Sequence, residues 1–213
     1  VIEDDEGRAI QASQLKLGMQ TVVQASAVVA STTGATATAT ASSITVRSDI
    51  IGPVESVTRS AGTLVALGQT VAVVADTVCD RALPMGLAAL SVGSLIEVHG
   101  SYDAAAARYV ANRIERRSSG TAYKLRGTVA DLSLSARTLM IGNAAIDWSA
   151  VAPADPAVSL APGQVIRLAL ATRMNSGLWR ATALGGAKPA LEDRELVEIE
   201  GRISAFTSVT QFE

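Results

Sequence analysis

Short apolar runs follow one another along the whole chain, several alternating apolar and polar residues at a period of two. That period predicts β-strands with one face buried. In the run LIEVHGSY, from Leu95, the alternation places Ile96, Val98 and Tyr102 on one face and Glu97 and His99 on the other. In VIRLALAT, from Val165, it turns Ile166, Leu168 and Leu170 inward and Arg167 outward.

The runs recur in a fixed order. Leu15-x-x-Gly18, Leu90-x-x-Gly93 and Leu160-x-x-Gly163 each precede an apolar run, and Gly52, Gly127 and Gly201 each sit inside a Val/Ile-rich one. The repeat is about seventy-five residues long, which predicts an array of small domains and not one large enzyme core. Ala111 and Ala181 stand 18 residues after Gly93 and Gly163, and Ile114 and Leu184 stand 21 after them. Gly93 and Gly163 are expected to supply a positive φ at the turn into the following strand.

One complete unit is expected over 49–117, with strands at Asp49–Thr58, Thr63–Leu67, Thr70–Val78, Leu95–Tyr102 and Arg108–Arg116. Residues 82–90, with Pro84 and Gly86, form a longer connection between the third and fourth. Five short strands interrupted there follow the order of an oligonucleotide/oligosaccharide-binding (OB) barrel. A divergent copy follows over 118–186, with Tyr123–Leu132, Thr138–Ile141, Ala145–Trp148, Val165–Thr172 and Leu178–Leu184. The ends are partial copies: 1–48 is a back half, with strands at Thr21–Val29 and Thr36–Val46, and 187–213 a front half beginning at Val197. Truncation from a longer array is favoured over completion of one half by the other, within or between chains. The fold class predicted is all-β: tandem OB-like five-stranded barrels, two complete and flanked by two partial units.

Composition sharpens this reading. Of the 213 residues 48% are hydrophobic but only 3% aromatic, so the cores are built of small side chains. The net charge of −2 comes without a basic stripe, which counts against nucleic acid as a partner. One cysteine, Cys79, allows no intrachain disulfide. No signal-peptide pattern or membrane-spanning apolar run is visible. A mature or excised fragment is the simplest reading. Richness in Ala, Thr and Ser with only three lysines fits an exported bacterial protein, placed in the periplasm, on an outer-membrane lipoprotein or outside the cell.

Gly52-Pro53-Val54, Leu67-Gly68-Gln69-Thr70-Val71, Leu90 to Gly93, Val98-His99-Gly100 and Ala111 to Ile114 together resemble the bacterial family known as domain of unknown function 5666. The resemblance covers the middle unit well, its successor moderately and the flanking halves weakly; Ala169 to Ala171 replace the glycine-bearing strand end in the successor. It implies tandem OB-type barrels in exported or lipid-anchored envelope proteins without an assigned activity. It carries over no functional residue.

Candidate chemistry is sparse. His99, the one histidine, aligns with Gln24 and Ala169 in the other copies, so an ordinary exposed histidine is favoured over a catalytic one or a ligand. Cys79 lies between Asp76 and Asp80, whose charges raise a thiol's pKa, and a structural thiol is favoured over a nucleophile. One Cys and one His cannot furnish a zinc site. Glu3-Asp4-Asp5-Glu6 lacks the alternating spacing that wraps a calcium ion, so a solvated loop is favoured; the same weighing applies to Glu192, Asp193, Glu195, Glu198 and Glu200. Thr36, Thr38 and Thr40 alternate with alanines once only, as a β-branched outer strand face would. No catalytic, cofactor or metal residue is predicted.

Trp148 and Trp179 offer the one candidate ligand surface, although packing is favoured for both. The function expected is a non-catalytic structural or interaction module of the bacterial cell envelope, with an unidentified envelope protein or glycan as partner and possible strand exchange between half-units of neighbouring chains. A carbohydrate- or small-ligand-binding module around the two tryptophans is the alternative. Single-stranded nucleic-acid binding ranks below both, because it is borrowed from fold alone.

Overall fold

The structure, a computed structural model, describes residues 1–27, 38–151, 160–185, 197–202, 206–208 and 211–212. It is all-β: among the described residues the helical elements are short 3₁₀ turns at Ala12–Gln14, Arg59–Ala61 and Gly86–Ala89. Among the described residues no helix is long and apolar enough to cross a membrane. In chain order the strands are β1 (Ile2–Asp4), β2 (Gln20–Ala25), β3 (Ala41–Arg47), β4 (Ile50–Thr58), β5 (Thr63–Ala66), β6 (Gln69–Ala72), β7 (Val78–Cys79), β8 (Leu95–Asp103) and β9 (Arg108–Arg116). There follow β10 (Tyr123–Ser133), β11 (Thr138–Ile141), β12 (Ala144–Asp147), β13 (Val165–Asn175), β14 (Leu178–Gly185), β15 (Val197–Arg202), β16 (Phe206–Ser208) and β17 (Gln211–Phe212). The chain forms two compact units, 48–188 and 1–47 with 189–213.

In the larger unit the strand pairings close two rings. β4 pairs with β5, β5 with β6, β6 with β9, β9 with β8 and β8 with β4; every contact is antiparallel except β6–β9. β10, β11, β12, β14 and β13 repeat that order, with β12–β14 the parallel contact. A barrel closed in this way leaves few free edges.

The equivalence of the two rings reaches single hydrogen bonds. Gly93 N–H donates to Val54 O and Gly163 N–H to Val129 O, both at 2.8 Å, and both glycines have φ +84°. The ladder slips at matching places. His99 faces Arg113 but Gly100 faces Ala111; Ala169 faces Ala183 but Leu170 faces Ala181. Each slip is a β-bulge that bends the strand where the barrel curls.

The interior glycines have a steric reason. A Cβ on Gly52 would stand 2.5 Å from Leu67 Cγ, and one on Gly127 2.3 Å from Ile141 Cγ2. Each bare position admits a side chain from the hairpin folding over it. Ile50, Val98 and Leu90 in the first ring and Leu125, Ile146 and Leu168 in the second belong to one continuous core.

The two rings join through equivalent residues. β4 meets β10 antiparallel with Ile50 opposite Leu125, each two residues before its ring's glycine. The β5–β6 turn at Leu67-Gly68 meets the β11–β12 turn at Gly142-Asn143, where Asn143 N–H donates to Gly68 O at 3.2 Å. The buried Gln69 side chain donates to Ile141 O at 2.6 Å and Leu67 O at 3.0 Å. Two equivalent elements meeting head to head make this a local two-fold contact, isologous within one chain.

In the smaller unit β1 runs parallel to β3, β3 antiparallel to β2, and β15 antiparallel to β2. Gly201 faces Thr21 there, as Gly52 faces Ile96 and Gly127 faces Ile166. The bulge recurs too, with Gln24 opposite Ser43 and Ala25 opposite Ala41. β15 therefore stands to β2 in this unit as β4 stands to β8 in the larger one. Leu15, Met19, Ile44 and Val46 make the small core of this unit.

Several expected strands are shorter than the sequence pattern implies. The third strand stops at Ala72, because Thr77 Oγ1 accepts the Val74 N–H and donates to Ala111 O, closing a turn before β7. β3 begins at Ala41, with Thr38 and Thr40 exposed ahead of it. Val28, Val29 and Thr36 lie outside the described residues.

Candidate functional site

β9, β8, β4, β10 and β13 are successive neighbours in one sheet. Ile114, Val98, Ile50, Leu125 and Leu168 form a line of inward positions across these strands. The next line, on the opposite face, is polar: Arg113, His99, Asp49, Arg126 and Arg167. Asp49 holds its place by donating its N–H to Val98 O at 3.0 Å and accepting the Arg126 N–H on its own carbonyl at 2.8 Å.

The part of this outer line on β9, β8 and Asp49 is covered, while Arg126 and Arg167 are half-buried. His99 is 0% exposed and Asp49, Arg113 and Glu97 are buried as well, which corrects the expectation of a solvated histidine. Alternation assigns residues to a face but does not say whether that face is open. β8 lies inside a wide sheet, and Glu97 to Gly100 are closed on both sides.

The buried charges answer one another. Glu97 Oε1 accepts the Ser48 hydroxyl and lies 3.6 Å from His99 Nε2, while Glu97 Oε2 pairs with Arg117. Burial alone would raise the Glu97 pKa; His99, the Ser48 hydrogen bond and Arg117 together hold it below its ordinary value. Asp49 Oδ2 accepts the Gly100 N–H at 2.9 Å, and Oδ1 lies 3.4 Å from the Arg126 guanidinium. Burial dominates there, and the Asp49 pKa is raised despite Gly100 and Arg126. Arg113 binds Glu115 through Nε at 2.7 Å and through a terminal nitrogen at 2.6 Å. Tyr109 donates its hydroxyl to Arg126 O, joining the two rings again; burial and Asp49 raise its pKa.

Ser48, Glu97 and His99 bring together a hydroxyl, a carboxylate and an imidazole. Nucleophilic catalysis needs the imidazole on the hydroxyl and the carboxylate behind the imidazole. Here the hydroxyl donates to the carboxylate itself, and all three side chains are buried. The arrangement is suited to neutralising charge at a seam, not to attacking a substrate. Sequence reading paired Glu97 with His99 by spacing but missed Ser48, Asp49, Arg113 and Arg126. Their signal lies in strand register, which a single sequence does not print.

The other candidates fall apart from this seam. Trp148 and Trp179 are 5% and 6% exposed and belong to the core, so they form no open aromatic platform. Trp179 meets Tyr123 edge to face at 5.7 Å, and the Arg137 guanidinium sits 5.0 Å from the Trp148 ring centre. Cys79 is half-buried, its thiol pushed up by burial and then by Asp80. In the first acidic run Asp4 Oδ1 accepts the N–H groups of Glu6 and Arg8, both at 2.9 Å, and Arg8 bridges Glu6. Among the described residues no group of three His, Cys, Asp or Glu is placed to hold a metal ion. Glu192, Asp193 and Glu195 lie outside the described residues; Glu198 and Glu200 are in β15.

No curated protein and no solved structure matches the chain. The first ring, from β4 to the end of β9, is a different case: residues 51–115 match the family described as Domain of unknown function (DUF5666).

Proposed function

We propose that this chain is a non-catalytic structural and interaction module, built of tandem OB-like repeats, in an exported bacterial cell-envelope protein. The carrying observation is the closure of the buried polar seam on itself. Glu97 accepts from Ser48 and Arg117, and Asp49 accepts from Gly100 and Arg126. A catalytic centre needs groups that converge on a place a substrate can occupy. These converge on one another, and the Asp49–Arg126 pair does so across the junction of the two rings. The low lysine content with abundant Ala, Thr and Ser supports export.

The test has two arms. The native protein is fractionated from its bacterial host and followed with an antibody; recovery in the cytoplasm overturns the envelope assignment. Purified protein is assayed against a panel of ester, glycoside, peptide and phosphoester substrates beside His99→Gln and Glu97→Gln. The expected result is no turnover by any of the three. Turnover abolished by either substitution overturns the non-catalytic reading.

A further inference from the structure

The first strand of each ring has two edges in use. β4 gives one edge to β8 and the other, at Ile50 and Ile51, to β10; β10 gives one edge to β13 and the other to β4 and β11. β15 is the third such strand in this chain, with Gly201 in the glycine position. Among the described residues it is the last strand of its sheet and pairs with β2 alone. An extended edge with unpaired N–H and C=O groups is a template for another strand.

The residues at the joining position differ in charge among the three copies. β4 begins Ile50-Ile51 directly after Asp49, and β10 carries Lys124-Leu125-Arg126. In their antiparallel register Ile50 faces Leu125, which sets acidic Asp49 beside basic Arg126. β15 holds Glu198-Ile199-Glu200 at the same register positions. Two copies of β15 joined in that register would set Glu198 against Glu200 twice. Like charges directly opposite destabilise a strand pair, and opposite charges stabilise it.

We infer that the edge of β15 left unpaired among the described residues receives, antiparallel, a strand of basic–aliphatic–basic sequence from a partner polypeptide, in the register β4 uses for β10. Strand addition of this kind draws affinity from main-chain hydrogen bonds and selectivity from alternate side chains. The inference rests on the reading of the chain as an interaction module, and it supplies the chemistry of the partner.

The probe is a labelled peptide with the sequence of residues 123–131, YKLRGTVAD, titrated against the whole chain by fluorescence anisotropy. Its counterpart, YELEGTVAD, reverses both charges. The basic peptide is expected to bind at least tenfold more tightly, to weaken as salt rises, and to shift backbone amide resonances of β15 and β2. The double variant Glu198→Lys, Glu200→Lys is expected to prefer the acidic peptide. Equal binding of the two peptides, or no binding of the basic one, overturns the inference. So does a stable homodimer in sedimentation that the basic peptide fails to displace. None of these outcomes touches the turnover and fractionation tests, so this inference can fail while the module reading stands.

Discussion

Gly52 lies directly beneath Leu67: a Cβ at Gly52 would stand 2.5 Å from Leu67 Cγ and 2.8 Å from Cδ1. Leu67 is fully buried and holds a left-handed backbone, φ +46°, a conformation that side-chain-bearing residues adopt at a cost. The glycine and the strained leucine are therefore one device, which folds the β5–β6 hairpin over β4. Gly52→Ala is expected to destabilise the larger unit by about 1–3 kcal/mol, the usual range for overpacking a filled core. Denaturant unfolding checks it, and an unchanged midpoint would refute the packing argument. Gly127→Ala, under Ile141, is expected to behave alike.

The two buried carboxylates of the seam predict opposite pH dependences. Asp49 is raised, so its stabilising contribution is full below the ordinary carboxylate range, about pH 4, and is lost as pH rises through its raised value. Glu97 is lowered, so its contribution is present above that range and is lost as pH falls through its depressed value. Asp49→Asn is expected to remove a loss of stability on the alkaline side of pH 4, and Glu97→Gln a loss on the acid side. Unfolding free energies measured from pH 3 to 8 decide it; curves parallel to that of the wild type contradict both assignments.

Gln69 ties the two rings at their turns. Its amide donates to Ile141 O of the second ring, and a Cβ on Gly142 would meet its Oε1 at 2.4 Å. Gln69→Ala leaves the Ile141 carbonyl without this donor and is expected to cost about 1–3 kcal/mol. Hydrogen exchange should show faster opening of β11 and β12 as well as of β5 and β6. Faster exchange confined to the first ring would mean that the turns fold independently.

Both tryptophans are buried, so their emission is expected to be blue-shifted and little quenched by iodide. Arg137→Ala should alter the Trp148 contribution by removing the guanidinium at its ring, while Trp179 packs on Tyr123 unchanged. Glycan fragments are expected to leave the spectrum unaltered. Strong quenching by iodide, or a saturable response to a glycan, would restore the aromatic-surface alternative.

Much of the barrel pattern was legible because it depends on local rules. A glycine under a folding hairpin, a positive-φ glycine at a strand entry and a two-residue period each leave a mark at fixed spacing, as Gly52, Gly93 and the run from Leu95 do. The alignment of His99 with Gln24 and Ala169 coincides with the β-bulge found in all three copies. Alternation places His99 on the outer face, but its burial depends on β8 being flanked by β4 and β9, which the local pattern does not show. Ser48 and Glu97, 49 residues apart, meet only through the β4–β8 pairing.

Local patterning was enough to set the strands, their order in each repeat and the places where only glycine fits, since those follow from neighbours a few residues apart. Three-dimensional pairing settled the rest. It joined β15 to β2 from opposite ends of the chain, set Ile50 against Leu125, and closed the outer face of β8 over His99. Hydrogen-bond registry between remote strands and the desolvation of a charged face are properties of the assembled sheet, and residues far apart in sequence carry no local trace of either.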